Sequence, residues 1–279
     1  MLFTTIENYA GKVLDLTYSQ DYTLYQVDGL NPVNATINTT EFATGDGAVF
    51  NSCRLGTRNI VLYIHINPNI EQNRLKLYSF FRVKSDVTLR FRHESLSVWI
   101  TGRVESFELS HFTNSQVAQI SIICSDPYFK SSTTELIEFS NIISLFEFPF
   151  SIAEEGIEFS RIENVSTKII NAGELETGMT IKLFSTSDFV LNPTIYNRTT
   201  NEYIGLNYDF AEGETVTITT HFNNKKVISD VSGNLLYTVK DGSTWLQLVP
   251  GENEITFECD EGENDLTVSV EYTTLYEGI

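Results

Sequence analysis

The sequence predicts a mainly β protein: an N-terminal α+β domain of β-sheets with one helix, followed by a C-terminal β-sandwich. Three observations carry this expectation. Short runs of alternating apolar and polar residues recur along the whole chain, the period of half-buried strands. A single stretch, 69–84, repeats its apolar residues at helical spacing instead. The strand 119–124 stops hard at Asp126-Pro127, and composition and charge change beyond it. Proline has no N–H for a ladder and pushes the residue before it out of helical space. The domains are therefore expected at 1–133 and 134–279, two cores in a chain of 279 residues.

Taken in order, 12–16 and 23–27 read as short strands, and Asp28-Gly29-Leu30-Asn31-Pro32 as a turn with a rigid exit. Residues 33–40 are Thr- and Asn-rich and extended, and Gly45-Asp46-Gly47 is a second turn. In 58–67, Ile60, Leu62, Ile64 and Ile66 alternate with Asn59, Val61, Tyr63 and His65, a clear strand. Asn69 is the expected helix N-cap, with Gln72 three residues on as in a capping box. Leu75, Tyr78 and Phe81 follow at helical spacing, beside Leu77 and Phe80, with Arg74, Lys76, Arg82 and Lys84 on the other side. The aromatic stripe reads as core. Strands are expected at 87–91, 96–104 and 117–124, and Gly102 invites a bulge or bend.

The second domain has turn signals at Asn171-Ala172-Gly173, Asn192-Pro193, Asn223-Asn224, Ser232-Gly233-Asn234, Asp241-Gly242, Pro250-Gly251 and Asp260-Glu261-Gly262. Between them lie alternating runs such as 215–220, 235–239 and 266–270. Many short strands with frequent turns and no helical period mark a β-sandwich.

Charge separates the halves. Residues 1–130 carry 11 Lys and Arg against 12 Asp and Glu, a net of −1; residues 131–279 carry 7 against 25, a net of −18. Such acidity argues against nucleic-acid recognition, whose affinity comes from Lys and Arg neutralising phosphates. The three cysteines, Cys53, Cys124 and Cys259, include no C-x-x-C pair and signal neither a disulfide framework nor a zinc site. Cys124 lies in a strand and reads as a small buried residue, consistent with a reducing cytoplasm. The first residues lack the basic and apolar regions of a signal peptide, and no apolar run approaches membrane-spanning length.

One ordered set of motifs goes further. It runs Gly29-Leu30-x-Pro32, Asp46-Gly47-Ala48-x-Phe50-x-Ser52, Arg58-x-Ile60, Arg74-x-x-Leu77-Tyr78-x-Phe80, Ile100-x-Gly102-x-Val104-Glu105 and Gln119-Ile120-Ser121-Ile122-Ile123-Cys124-x-Asp126-Pro127-Tyr128-Phe129. The set resembles the distal tail protein family of long non-contractile-tailed phages (siphophages) of Gram-positive bacteria and spans residues 1 to about 130. Many relatives read Cys-Pro-Asp-Pro-Tyr at the exit, where this chain has Ser125. In the second domain Asn171-x-Gly173-Glu174, Asn192-Pro193-x-Ile195-Tyr196-Asn197 and Trp245-Leu246-x-Leu248-x-x-Gly251-x-Asn253 resemble, more loosely, the galectin-like sandwich of the longer members. The resemblance implies a virion protein of the tail tip, from a phage or prophage, made in the bacterial host cytoplasm. It implies a homohexameric ring, the baseplate hub. The ring would join the tail tube protein and tape-measure protein to the tail-tip (tail-associated lysin) protein and, in some phages, a receptor-binding protein. No cofactor, metal, sequence-specific nucleic acid or membrane is expected.

Other chemistries were weighed on the residues. A glycosidase needs two carboxylates facing across a cleft, which abundant acids imitate by chance, so no enzyme and no catalytic residue is assigned. The acid-rich stretch 258–265 has oxygen ligands for calcium but not the spacing of a calcium loop, and reads as a solvated turn. His65 reads as structural. Trp245 is the candidate glycan contact of an alternative reading, a carbohydrate-binding accessory adhesin acting through the sandwich; packing into the core is the favoured role for this ring. For a ring, the near-neutral first domain suits contact between copies, an edge strand is expected to add to a neighbour's sheet, and the acidic second domains are expected to splay outward.

Overall fold

A computed structural model describes residues 2–94, 96–110, 116–140, 142–144, 160–162 and 166–279. The chain forms two compact units, Met1–Ser132 with Leu275–Ile279, and Thr133–Thr274. The last five residues thus return to the first unit.

The first unit contains β1 (Phe3–Asn8), β2 (Val13–Asp15), β3 (Tyr22–Asp28), β4 (Ala35–Glu41), β5 (Ala48–Leu55), β6 (Arg58–Ile66), α1 (Ile70–Phe80), β7 (Asp86–His93), β8 (Leu96–Leu109) and β9 (Val117–Cys124). It also holds the start of β10 (Phe129–Ser140). The antiparallel order is β2-β1-β7-β8-β9-β6-β3. The long β8 makes this possible: its first half pairs with β7 and its second half with β9. A register shift between Val104 and Ser106 bends it. The expected bulge therefore lies beyond Gly102, whose own role is close approach. A Cβ there would meet the Ile122 side chain at 2.6 Å and the Cys124 sulfur at 2.7 Å.

Alternation places Ile60, Leu62, Ile64 and Ile66 inward from β6 and Ala118, Ile120, Ile122 and Cys124 inward from β9. Leu77 and Phe81 close this core from the helix. Two expectations about the helix are corrected. Asn69 does precede it, but at φ 73° its side chain makes no capping bond. Asn tolerates the left-handed region, and the carboxamide of Asn73 instead donates to the Pro68 carbonyl (3.0 Å). Leu75 lies 57% exposed, so only part of the apolar spacing faces the core.

β10 continues into the second unit. There it lies in one sheet with β14 (Thr177–Ser185), β17 (Thr215–His221), β18 (Asn224–Ser229), β19 (Gly233–Asn234) and β22 (Leu266–Tyr276). A second sheet holds β13 (Thr167–Asn171), β15 (Thr194–Asn197), β16 (Glu202–Gly205) and β21 (Gly251–Glu258). The short β20 (Gln247–Leu248) pairs with β14, and β11 (Ile142–Ser144) with β12 (Ser160–Ile162). Ile181, Leu183, Val216, Ile218, Val268 and Val270 from the first sheet share one core with Ile169, Ile195, Ile204, Ile255 and Phe257 from the second, a β-sandwich. The expected strand 235–239 is instead a 3₁₀ turn at Leu236–Thr238. The Leu236 amide donates to the Asn234 side chain and the Thr238 hydroxyl to the Leu235 carbonyl, and these local bonds outcompete a ladder. Tyr237 is left 81% exposed while Leu235 is buried.

Candidate functional site

Arg58 opens β6 on the same phase as Ile60 and Leu62, so the strand turns its guanidinium inward, where it is 2% exposed. Among the described residues no carboxylate forms an ion pair with it. Nε donates to the Pro127 carbonyl (2.6 Å), and one terminal nitrogen donates to those of Gly29 (2.5 Å) and Asn31 (2.7 Å). The other donates to the carbonyl of Glu277. The guanidinium lies 4.4 Å from the centroid of the buried Phe129 ring, which meets Phe91 edge-on at 6.0 Å. Burial lowers the Arg58 pKa, and the nearby Glu277 carboxylate works the other way. A guanidinium remains charged under these conditions.

The local sequence is shaped for this clasp. Gly29 has φ 88°, and a Cβ there would fall 2.0 Å from the Asn59 carbonyl oxygen, so no side chain fits. Pro32 abuts Gly278, and the Ile279 amide donates to the Leu30 carbonyl (3.1 Å). The motif pieces Gly29-Leu30-x-Pro32, Arg58-x-Ile60 and Asp126-Pro127-Tyr128-Phe129, far apart in sequence, meet at this one cation. With its donors committed to main-chain carbonyls, Arg58 fastens the unit and its returning C-terminal residues.

A second feature of the first unit faces outward. Among the described residues β4 and β5 pair only with each other. All their residues are exposed except Leu55, which is half-buried. The register gives this arm two unlike sides. Ala35, Ile37, Thr39 and Glu41 share one with Leu55, Cys53, Phe50 and Ala48. The other carries polar pairs: the Asn38 amide donates to Ser52 (3.0 Å) and that of Asn51 to Thr40 (2.7 Å). Ile37 and Phe50 are 62% and 60% exposed on the apolar side.

Across the unit, the outer side of β2-β1-β7 gathers Phe3, Tyr18 and Arg92. The Phe3 and Tyr18 rings are 5.8 Å apart, and the Arg92 guanidinium stands 4.9 Å over Phe3. Tyr18 is 69% exposed and Val13 65%. An open depression of about 840 Å³ lies along Val83, Asp86, Arg103, Glu105 and Ser125, where Arg103 donates to Asp86 at 2.7 Å. That bond holds the Asp86 carboxyl below its ordinary range.

In the second unit Trp245 is half-buried against the sandwich core, with the Lys225 ammonium 5.7 Å from its ring centroid. Three of the five carboxylates of 258–265 meet donors of the protein: Glu258 pairs with Arg198 (2.6 Å), Asp260 accepts from Asn192 (2.8 Å) and Asp265 from Ser187 (2.8 Å). Among the described residues no three His, Cys, Asp or Glu side chains gather to hold a metal. Burial pushes the thiols of Cys124 and Cys259 up to about 12, so neither is a nucleophile near neutral pH. Glu214, fully buried, accepts from Tyr208 (2.7 Å), Ser229 and the Ala211 amide (2.8 Å), and ties the turn before β17.

Sequence reasoning singled out Trp245 and passed over the arm. It quoted Arg58 only as a motif residue. One signal was present: parity with Ile60 puts Arg58 on the inward phase of its strand.

The known proteins this chain is similar to agree across both units. Residues 9–124 match the family described as phage tail protein RIFT-related domain, and residues 172–276 that described as siphovirus-type tail component, C-terminal domain. The crystal structure of SPP1 Dit (gp 19.1), called a paradigm of the hub adsorption apparatus in Gram-positive infecting phages, is similar with a TM-score of 0.70 at 15% identity, covering 98% of each chain. A chain of the phage P2 baseplate, in its activated conformation with Ca, gives 0.55 at 12% identity and full coverage of both. At such identities these likenesses establish a shared fold. None of the curated proteins matches. The two family matches, one to each unit and in this order, carry the identification: the chain belongs to the siphophage distal tail protein family.

Proposed function

We propose that copies of this chain close into a homohexameric ring, the hub of the tail tip. The ring joins the tail tube protein and tape-measure end to the tail-tip (tail-associated lysin) protein and the receptor-binding machinery. The role is structural, with no catalysis, and the protein is a component of the virion. Membership of the family supports a tail and baseplate hub role at large. The observation that carries the finer reading is the division of charge between the units. The first holds 11 cationic and 13 acidic side chains, a net of −2; the second holds 7 and 24, a net of −17. Copies can approach through the first unit at little electrostatic cost, whereas copies of the second repel until salt screens them.

The test is the mass of the purified full chain over a wide concentration range, with negative-stain images of the same samples. Six-fold rings are expected, and their population is expected to rise as salt is added. A chain that stays monomeric at every concentration and salt would overturn the ring.

A further inference from the structure

The second unit is an insertion in the first. The chain enters it at Thr133, along β10, and leaves it at Thr274, along β22. The arm of β4 and β5 is an insertion of the same kind: the chain enters it after β3, which ends at Asp28, and returns to the sheet at Arg58. The roots of both meet at one side chain. Gly29 and Asn31 lie on the way into the arm, and Arg58 stands at its exit. Pro127 lies just before β10 and Glu277 just after β22. We infer that Arg58 is a relay between the two projections: a displacement at the second unit's roots, 127–132 and 275–277, passes through the guanidinium to the roots of the arm, and the reverse. The relay belongs to a single chain, so it stands or falls apart from the ring.

The planar fork is what couples them. It holds its donors in a fixed relation: Nε serves Pro127, one terminal nitrogen serves Gly29 and Asn31, and the other serves Glu277. If the Glu277 carbonyl withdraws, a buried donor is left unmade, which costs its full desolvation. Turning that nitrogen toward water turns the whole plane. Nε then leaves Pro127, and the other nitrogen leaves the arm entry. The plane also lies 4.4 Å from the centroid of Phe129, the fully buried first residue of β10, so the same turn loosens the start of that strand. The arm entry has no slack to absorb the movement, because a Cβ at Gly29 would already strike the Asn59 carbonyl. The returning residues touch the arm entry directly as well, through the Ile279 amide on the Leu30 carbonyl and Gly278 against Pro32. From there to Pro127 the hydrogen bonds run through Arg58. That step sets the relay apart from simple contact.

Gly278→Val in the full chain displaces the return, since its Cβ would fall 2.9 Å from the Pro32 ring and 3.2 Å from the Leu30 carbonyl oxygen. Hydrogen exchange is then read segment by segment by mass spectrometry. Exchange over 128–132, where Lys130 and Ser131 pair with Trp99 and Val98, is expected to quicken about 10-fold, while 60–66 and 118–124 keep their rates. Arg58→Met is expected to quicken 128–132 by itself. Adding Gly278→Val to it is expected to change that segment no further, because the relay is already cut. If Arg58→Met does not fold, Arg58→Lys, which keeps the charge and loses the fork, takes its place. If Gly278→Val also quickens β6 and β9, Gly278→Ala, with the same Cβ and less bulk, is read instead. Quickened exchange confined to 275–279 and 29–34 would overturn the relay. Two effects that multiply in the double variant would overturn it too, since the segments would then open independently.

Discussion

Replacing Arg58 by Met keeps most of the side chain's length and removes every donor. Four main-chain carbonyls, from Gly29, Asn31, Pro127 and Glu277, then lose their partner at a site that admits almost no water. A hydrogen bond from a charged donor is worth about 1.5–3 kcal/mol, but the buried cation also gives up its hydration, which offsets much of the sum. Each buried carbonyl left without a donor costs about 1–3 kcal/mol, so after that offset the net loss is about 3–5 kcal/mol. That is a large share of the roughly 5–15 kcal/mol that holds a domain folded. Lys is the informative comparison. Its ammonium has three donors and no flat face for Phe129, so Arg58→Lys should fall between the two. The assay is urea unfolding with hydrogen exchange on the same samples. The transition of the first unit should move to lower urea while that of the second stays in place. In both variants the amide of Ile279, bonded to the Leu30 carbonyl, should lose protection before any global unfolding. A first-unit transition within about 1 kcal/mol of the unmutated value in Arg58→Met would refute the reasoning. So would a Lys variant equal to Arg, since it would mean the forked geometry counts for nothing.

Two further outcomes follow from burial. The thiols of Cys124 and Cys259 have pKa values raised from about 9 to about 12 in the folded chain. The unfolded chain then holds fewer protons above pH 9, so stability should fall as pH rises from about 9 towards 12, by up to about 1.4 kcal/mol per pH unit per thiol. Cys124→Ala should flatten that fall for the first unit in alkaline urea titrations, and an unchanged slope would contradict it. Trp245→Ala should lower the melting point of the second unit, by about 2–3 kcal/mol in stability, because half the ring is packed on the core. Retention on cell-wall glycan columns should be the same with or without the ring; retention lost at unchanged stability would instead favour the adhesin reading.

How far the sequence reached is clearest strand by strand. In β6 and β9 the period of two reads directly as burial, because each strand has one face on a core and one in water. The same reasoning fails at 235–239, where a polar neighbour, Asn234, offers the backbone a local partner, and at Asn69, where the backbone hand decides whether a cap can form. The arm was legible as two extended runs around Gly45-Asp46-Gly47. Its isolation was not, since the pattern shows that a ribbon has an apolar side and never whether the chain covers it. Nothing in the last residues signals that Leu275–Ile279 returns to the first unit, because the Arg58 bond there is to a carbonyl, which every residue possesses.

That contrast bears on which residues form motifs and which form surfaces. At the clasp each position has one chemical solution: Gly29 because a Cβ would strike Asn59, Arg58 because only its fork reaches four carbonyls, Phe129 because the cation needs a face. Such demands write themselves into short recognisable strings. The apolar side of the arm demands only bulk and hydrophobicity at Ile37, Phe50 and Leu55, which many sequences satisfy. A surface of that kind therefore carries little sequence signature. The resemblance that identifies this family is accordingly written in the residues that hold the first unit together.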